Sequence, residues 1–225
     1  TKVEKILPSP SNNIGQKIQT PFTTVNALYE SIKLMLRLII YGNGRDSEKK
    51  IKYYFSNFQN SEQDIEIYFQ KTKDFFIELS NNIEPIKEYV EISNSNNQVK
   101  IEGFVQKYRN RDTGGHLLFR PAGLVKITEL CCKQYSRAKI KKYNQDLMFE
   151  VIKQVGILPF DLEKAPCNNL VWNPVKKVIK GKGFSVLRDV YSCMLNNQAC
   201  PKVLDKYRKA IGDDNKECNI PKLEL

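Results

Sequence analysis

Apolar side chains recur at three- and four-residue intervals through most of this chain, and strict alternation of apolar with polar residues is scarce. That spacing lines up side chains on one stripe of a helix and denies a strand any consistent inner face. It restricts the chain to a mostly α, bundle-like architecture. The stretch "TPFTTVNALYESIKLMLRLIIYG" carries the pattern in full. Thr23 or Thr24 can cap its first amides, Val25, Leu28, Ile32, Leu36 and Ile39 form the stripe, and Gly42 closes it.

The same reading continues along the chain. "DSEKKIKYYFSNF" is a short helix, and "SEQDIEIYFQKTKDFFIELSNNI" a longer one. In the longer one Ser61 and Asp64 are placed like a capping box, and Ile65, Phe69, Thr72, Phe76 and Leu79 share a side. "EISNSNNQVK" is a polar break. Pro121 can start "RPAGLVKITELCCKQYSRAKI", whose apolar face is Leu124, Ile127, Cys131 and Tyr135. Asn144 can cap "QDLMFEVIKQVG", which Gly156 closes, and two final helices follow, the last opened by Pro201 and stopped by Gly212. The expected organisation is a linker or docking segment over 1–20, a helical subdomain over 21–90 and a polar connection over 91–106. A second helical subdomain over 107–212 and a tail over 213–225 complete it.

Charge is distributed unevenly. Residues 1–99 balance to zero, 100–142 carry a net +8 and 143–225 a net +3. Cations crowded into one window suit a polyanion, because each one set beside a phosphate releases condensed counterions. A solvated basic face is the plainer alternative. No apolar run approaches the roughly 20 residues that span a bilayer, so no membrane partner is expected. The six cysteines form no C-x-x-C pair, and a single histidine leaves no His-rich metal site. Reduced thiols of a cytoplasmic protein, with no metal and no cofactor, are the expectation.

Three stretches invite a site. "KYRNRDTGGHLLFRPAG" sets the only histidine, His116, beside Gly114 and Gly115 and the cations Lys107, Arg109, Arg111 and Arg120. Glycine amides can turn toward one phosphate, and His116 can donate to it or titrate near neutrality. Equally, the glycines can make a turn while His116 caps a helix or pairs with a buried carboxylate, and Leu117, Leu118 and Phe119 belong to the core. "KQYSRAKIKKYN" places Lys133, Arg137, Lys141 and Lys142 at helical spacing with Lys139 between them, and Tyr135 and Tyr143 can add bonds to sugar or phosphate. A solvated helix end is the alternative. "VKKVIKGKGFS" has lysines and glycines but not the spacing of a nucleotide-hydrolysing phosphate loop, and Trp172 just before it reads as a core anchor. No complete catalytic constellation is visible.

"GGHLLFRPAG" (114–123) resembles the HLLFRP signature in the C-terminal part of the DGQHR-domain (DndB-like) family, which is associated with DNA phosphorothioate modification. "LVWNPVKKVI" (170–179) is similar to the tryptophan-centred segment near the end of those proteins, and "IQTPFTTVNALYESI" (18–32) to the helix after their N-terminal domain. The Asp-Gly-Gln-His-Arg pentapeptide itself is missing. The resemblance therefore implies the C-terminal half of a longer protein, with a ParB-like α/β domain upstream of Thr1. It implies a role around DNA modification, phage defence or its transcriptional regulation. Three readings remain open: a DNA-backbone-binding module, a scaffold packing on the upstream half or a partner protein, or a nucleotide- or modified-base-handling enzyme around Arg111, His116 and Arg120. Self-association is compatible with each.

Overall fold

The computed structural model describes residues 8–9, 22–42, 53, 62–95, 97–110, 112–120, 122–198 and 200–212. Most of the 1–20 segment, the short helix after residue 45 apart from Tyr53, Ser61, Arg111, Pro121, Cys218 and the 213–225 tail lie outside the described residues. The regular structure begins with β1 (Pro8–Ser9), paired in parallel with β2 (Thr23–Thr24), and α1 (Val25–Tyr41). Next come α2 (Glu62–Asn82), α3 (Glu84–Ser95), α4 (Gln98–Tyr108), α5 (Gly123–Ser136) and α6 (Gln145–Gly156). An antiparallel hairpin of β3 (Trp172–Asn173) and β4 (Val178–Ile179) precedes α7 (Phe184–Leu195) and α8 (Pro201–Ile211). Short 3-10 turns occupy Leu117–Phe119 and Gly181–Gly183. The protein is mostly helical, as the periodicity requires, and among the described residues no helix is long and apolar enough to cross a membrane.

Local chemistry sets the helix ends. Thr24 Oγ1 accepts from the Ala27 amide at 3.1 Å, and Asn144 Oδ1 accepts from the Leu147 amide at 2.9 Å. Each bond satisfies an amide that the first helical turn leaves without a partner. Asn97 caps α4 in the same way, donor Lys100. Consequently the polar stretch expected to connect two subdomains is itself helix: α3 runs to Ser95 and α4 begins at Gln98. Here Asn97 acts as a helix cap rather than as part of a linker.

Burial rotates two of the expected stripes. On α1 the buried residues are Ala27, Ser31, Met35, Leu38 and Ile39, while Val25 is exposed. α1 packs closely on α5, and small side chains at 27 and 31 let the two backbones approach; Ser31 Oγ donates to the Ala27 carbonyl and needs no water. On α2 the buried residues are Thr72, Phe75, Leu79 and Ser80, and from the first half Tyr68 packs partly buried against the core. Ile65 and Phe69, expected inside, are 39% and 58% exposed.

α5 sits at the centre, packed by α1, α6, α7 and the 117–119 turn. It buries Leu130 and Thr128 as well as the expected Leu124, Ile127, Cys131 and Tyr135, because neighbours cover more than one of its faces. One continuous core runs from Phe22 to Tyr207.

Candidate nucleic-acid interface

The 109–120 loop is built to hold itself. Gly114 and Gly115 take φ of 84° and 68°, a region costly for other residues. A side chain on Gly114 would press within 2.7 Å of the Trp172 ring, and one on Gly115 within 2.2 Å of the Tyr108 carbonyl oxygen. Arg120 reaches back across this turn. Its Nε donates to the Gly114 carbonyl at 2.8 Å, and its terminal nitrogen donates to that carbonyl and to that of Asn110. The guanidinium lies 5.6 Å from the centre of the buried Trp172 ring. A planar, permanently charged fork suits this double carbonyl grip, which a lysine could not reproduce.

His116 does not titrate near neutrality. Its Nδ1 accepts from the Leu118 amide at 3.3 Å, capping the 117–119 turn, and burial pulls its pKa down to about 4, against a weaker upward pull from Asp161. The ring is therefore neutral, with its proton on Nε2. Leu118 and Phe119 are core, and Phe119 is an aromatic hub: the rings of Phe104, Phe22 and Tyr108 lie 4.9, 5.4 and 5.4 Å away. The "HLLF" stretch thus acts in packing.

The basic window divides into two kinds of cation. Arg109 is buried, lies 5.7 Å from the Phe119 ring and donates to the Phe22 carbonyl; burial lowers its pKa. Lys107 pairs with Glu88 at 2.9 Å. Burial pushes the Glu88 carboxyl up, yet hydrogen bonds from Tyr108 and Lys107 outweigh it and hold the group below the usual range. Lys133 pairs with Asp189 at 2.8 Å, and Lys126 with Glu129 at 2.9 Å. Arg109 is buried, and the three lysines are each paired with an acid of the same chain at or near the surface. Arg137, Lys139, Lys141 and Lys142 are exposed, and among the described residues none of the four has an ion pair.

Those four sit on a loop, not on a helix face. α5 stops at Ser136, and the chain turns through Lys139 at φ 53°, a conformation that costs a non-glycine residue about 1–2 kcal/mol. Tyr135, 1% exposed, holds both ends of the turn: its hydroxyl accepts from the Asn144 amide at 2.7 Å and donates to the Lys142 carbonyl at 3.4 Å. Tyr143 stacks on it at 5.8 Å, with its hydroxyl buried. The two tyrosines expected to touch sugar or phosphate instead brace the loop from within.

A second basic element was missed in the sequence. Around Asp189 on α7 gather Lys133, Arg188 and Lys206 of α8; burial raises that carboxyl, and these three cations together bring it below its ordinary value. Lys202, Lys206 and Lys209 face solvent from α8. Their outward spacing is legible in "PKVLDKYRKAI", but their meeting with α5 is not. In the hairpin, Lys177 pairs with Asp112 and Lys180 donates to the Asn169 carbonyl, leaving Lys176 and Lys182 exposed. Among the described residues no three His, Cys, Asp or Glu side chains gather to hold a metal. Comparison with family models, curated proteins and solved structures returns no match for this chain.

Proposed function

We propose that this chain is a DNA-associated helical module of a DGQHR-type protein, serving DNA modification, phage defence or its transcriptional regulation, and holding nucleic-acid backbone through a basic surface. The observation that carries the reading is the 137–142 loop, where Arg137, Lys139, Lys141 and Lys142 project without acid partners among the described residues. A rigidly braced loop of unneutralised cations suits phosphate contact, which gives affinity without reading sequence. The glycine turn at 114–115 lends this reading less support, since Arg120 is turned onto the turn's own carbonyls.

The test is duplex binding as a function of salt. Affinity should fall steeply as salt rises, and replacing Arg137, Lys141 and Lys142 together by Ala should lower the log–log slope by about 2.7, at about 0.9 per neutralised phosphate. The loss should be the same for unrelated duplexes. Replacing Lys107, already paired with Glu88, should leave affinity nearly unchanged. Salt-independent binding, or a triple variant that binds like the parent, removes the mechanism.

A second reading, a scaffold that packs on an upstream half or a partner protein, is favoured by the exposed Ile65, Ile67 and Phe69 in the first half of α2. It predicts concentration-dependent self-association in size-exclusion chromatography that Phe69→Lys abolishes, with duplex affinity unaffected.

A further inference from the structure

The β3–β4 hairpin carries an apolar side chain at its tip that the fold does not cover. Val175 is 89% exposed, and Val178 on β4 is 49% exposed. Residues 170–183 hold four lysines, Lys176, Lys177, Lys180 and Lys182, and no acid. Lys177 is paired with Asp112, and Lys180 is turned onto the Asn169 carbonyl. Lys176 next to the tip and Lys182 at the base are exposed, and among the described residues neither has an ion pair. The hairpin is also stiff. Leu170, Val171 and Trp172 bury its base, where the Lys180 amide donates to the Val171 carbonyl at 2.7 Å. A side chain on Gly183 would press within 2.1 Å of the Leu170 carbonyl oxygen, so the base is closed on both sides. At the tip, Asn173 Oδ1 accepts from the amides of Val175 and Lys176 at 3.0 and 2.9 Å, which sets the turn that presents Val175.

We infer that this hairpin is a wedge for duplex DNA: Val175 enters the minor groove and presses on a base step, Lys176 and Lys182 meet flanking phosphates, and the duplex bends. The inference rests on the reading of the chain as a holder of nucleic-acid backbone and adds what a second contact does there. Charge, chemistry and stiffness select the occupant. Lysines without neighbouring acids favour a polyanion. An apolar tip gains nothing from phosphate, but it is buried when it enters between partly unstacked bases, the way apolar side chains kink DNA from the minor groove. A wedge must also resist being pushed back, and the Asn173 bonds and the buried Trp172 supply that resistance. An anionic lipid surface fits less well, because one valine side chain buries too little apolar area to anchor a protein in it. The bend is easiest at a pyrimidine–purine step, where unstacking costs least. Preference among sequences then comes from deformability, which the phosphate contacts of the 137–142 loop do not read.

The test uses the full chain and a short duplex with a central TA step, carrying a fluorescent donor at one end and an acceptor at the other. Binding should raise energy transfer, and should raise it less on a duplex of equal length built on a stiff A-tract. Val175→Ser should abolish the rise and weaken binding about tenfold, whereas Val175→Leu should keep both. Lys176→Ala with Lys182→Ala should lower the log–log salt slope by about 1.8, at about 0.9 per neutralised phosphate. Binding that depends on the 137–142 loop but leaves energy transfer unchanged overturns this inference alone, as does a Val175→Ser chain that bends the duplex like the parent. A parent chain that binds no duplex removes the basic-surface reading and this inference together. Capture of the parent by phosphatidylserine vesicles, lost in Val175→Ser and accompanied by no duplex bend, assigns the hairpin to a lipid surface and overturns the wedge as well.

Discussion

His116 packs its ring among Tyr108, Phe119 and Phe160 and spends Nδ1 on the Leu118 amide, so a second proton on the imidazole has no hydrated place to sit. The unfolded chain takes up that proton at the ordinary imidazole value, whereas the folded one waits until about 4. Unfolding therefore binds a proton between those two values, and stability falls as pH drops through that window. The gap from 6.5 to about 4 corresponds to about 3 kcal/mol. Urea midpoints taken from neutral pH down to about pH 4 should show this loss, and His116→Asn, which retains an acceptor for the Leu118 amide, should flatten that part of the curve. Equal slopes for the two proteins would show that another group is responsible. Phe119 gives the complementary residue-scale expectation. Truncating this hub to Ala leaves a cavity among Phe22, Phe104 and Tyr108, at a cost of about 3–5 kcal/mol by chemical denaturation.

At the scale of elements, the basic loop depends on a hydroxyl that never reaches its surface. Tyr135→Phe retains every charge and nearly all the packing but releases the Asn144 amide and the Lys142 carbonyl. Stability should fall by about 1–2 kcal/mol, the cost of leaving such groups unmet. If the loop binds duplex as proposed, affinity should fall while the salt slope stays nearly constant, because the number of phosphates met is unchanged. A changed slope with unchanged affinity would contradict the bracing role. The same element separates what sequence could reveal from what it could not. The caps at Thr24 and Asn144 were legible because both partners lie within three residues. The loop that carries Lys141 and Lys142 in place of the expected helix was not, since it is held by a bond from the Asn144 amide to the Tyr135 hydroxyl that periodicity does not encode. Likewise the neutralisation of Lys107 by Glu88 and of Lys133 by Asp189 joins residues far apart in the chain, so a count of local charge overstated the face. The stripe on α1 turned because its partner α5, not its own pattern, decides which side is covered.

For the whole molecule, the decisive fact is that the core crosses the polar stretch at 91–106. Phe22 meets Phe119 at 5.4 Å and Tyr89 at 5.3 Å, and Met35 touches Cys132. α1 thus completes the packing of α5, and α2 that of α6. A chain divided between residues 96 and 97 would expose both halves of these contacts at once, and neither half could recover the apolar burial that offsets the entropy of ordering its backbone. Unfolding should accordingly be one cooperative event, with far-UV circular dichroism and Trp172 fluorescence tracing the same urea midpoint. Trp172 reports from the hairpin behind the Arg120 turn, while the dichroism signal averages over all helices, including α1 to α4. Separately expressed segments 21–96 and 97–212 should each lack that transition, and mixing them should restore it in part. A dichroism midpoint that precedes the loss of Trp172 burial would show instead that the N-terminal helices form a unit of their own.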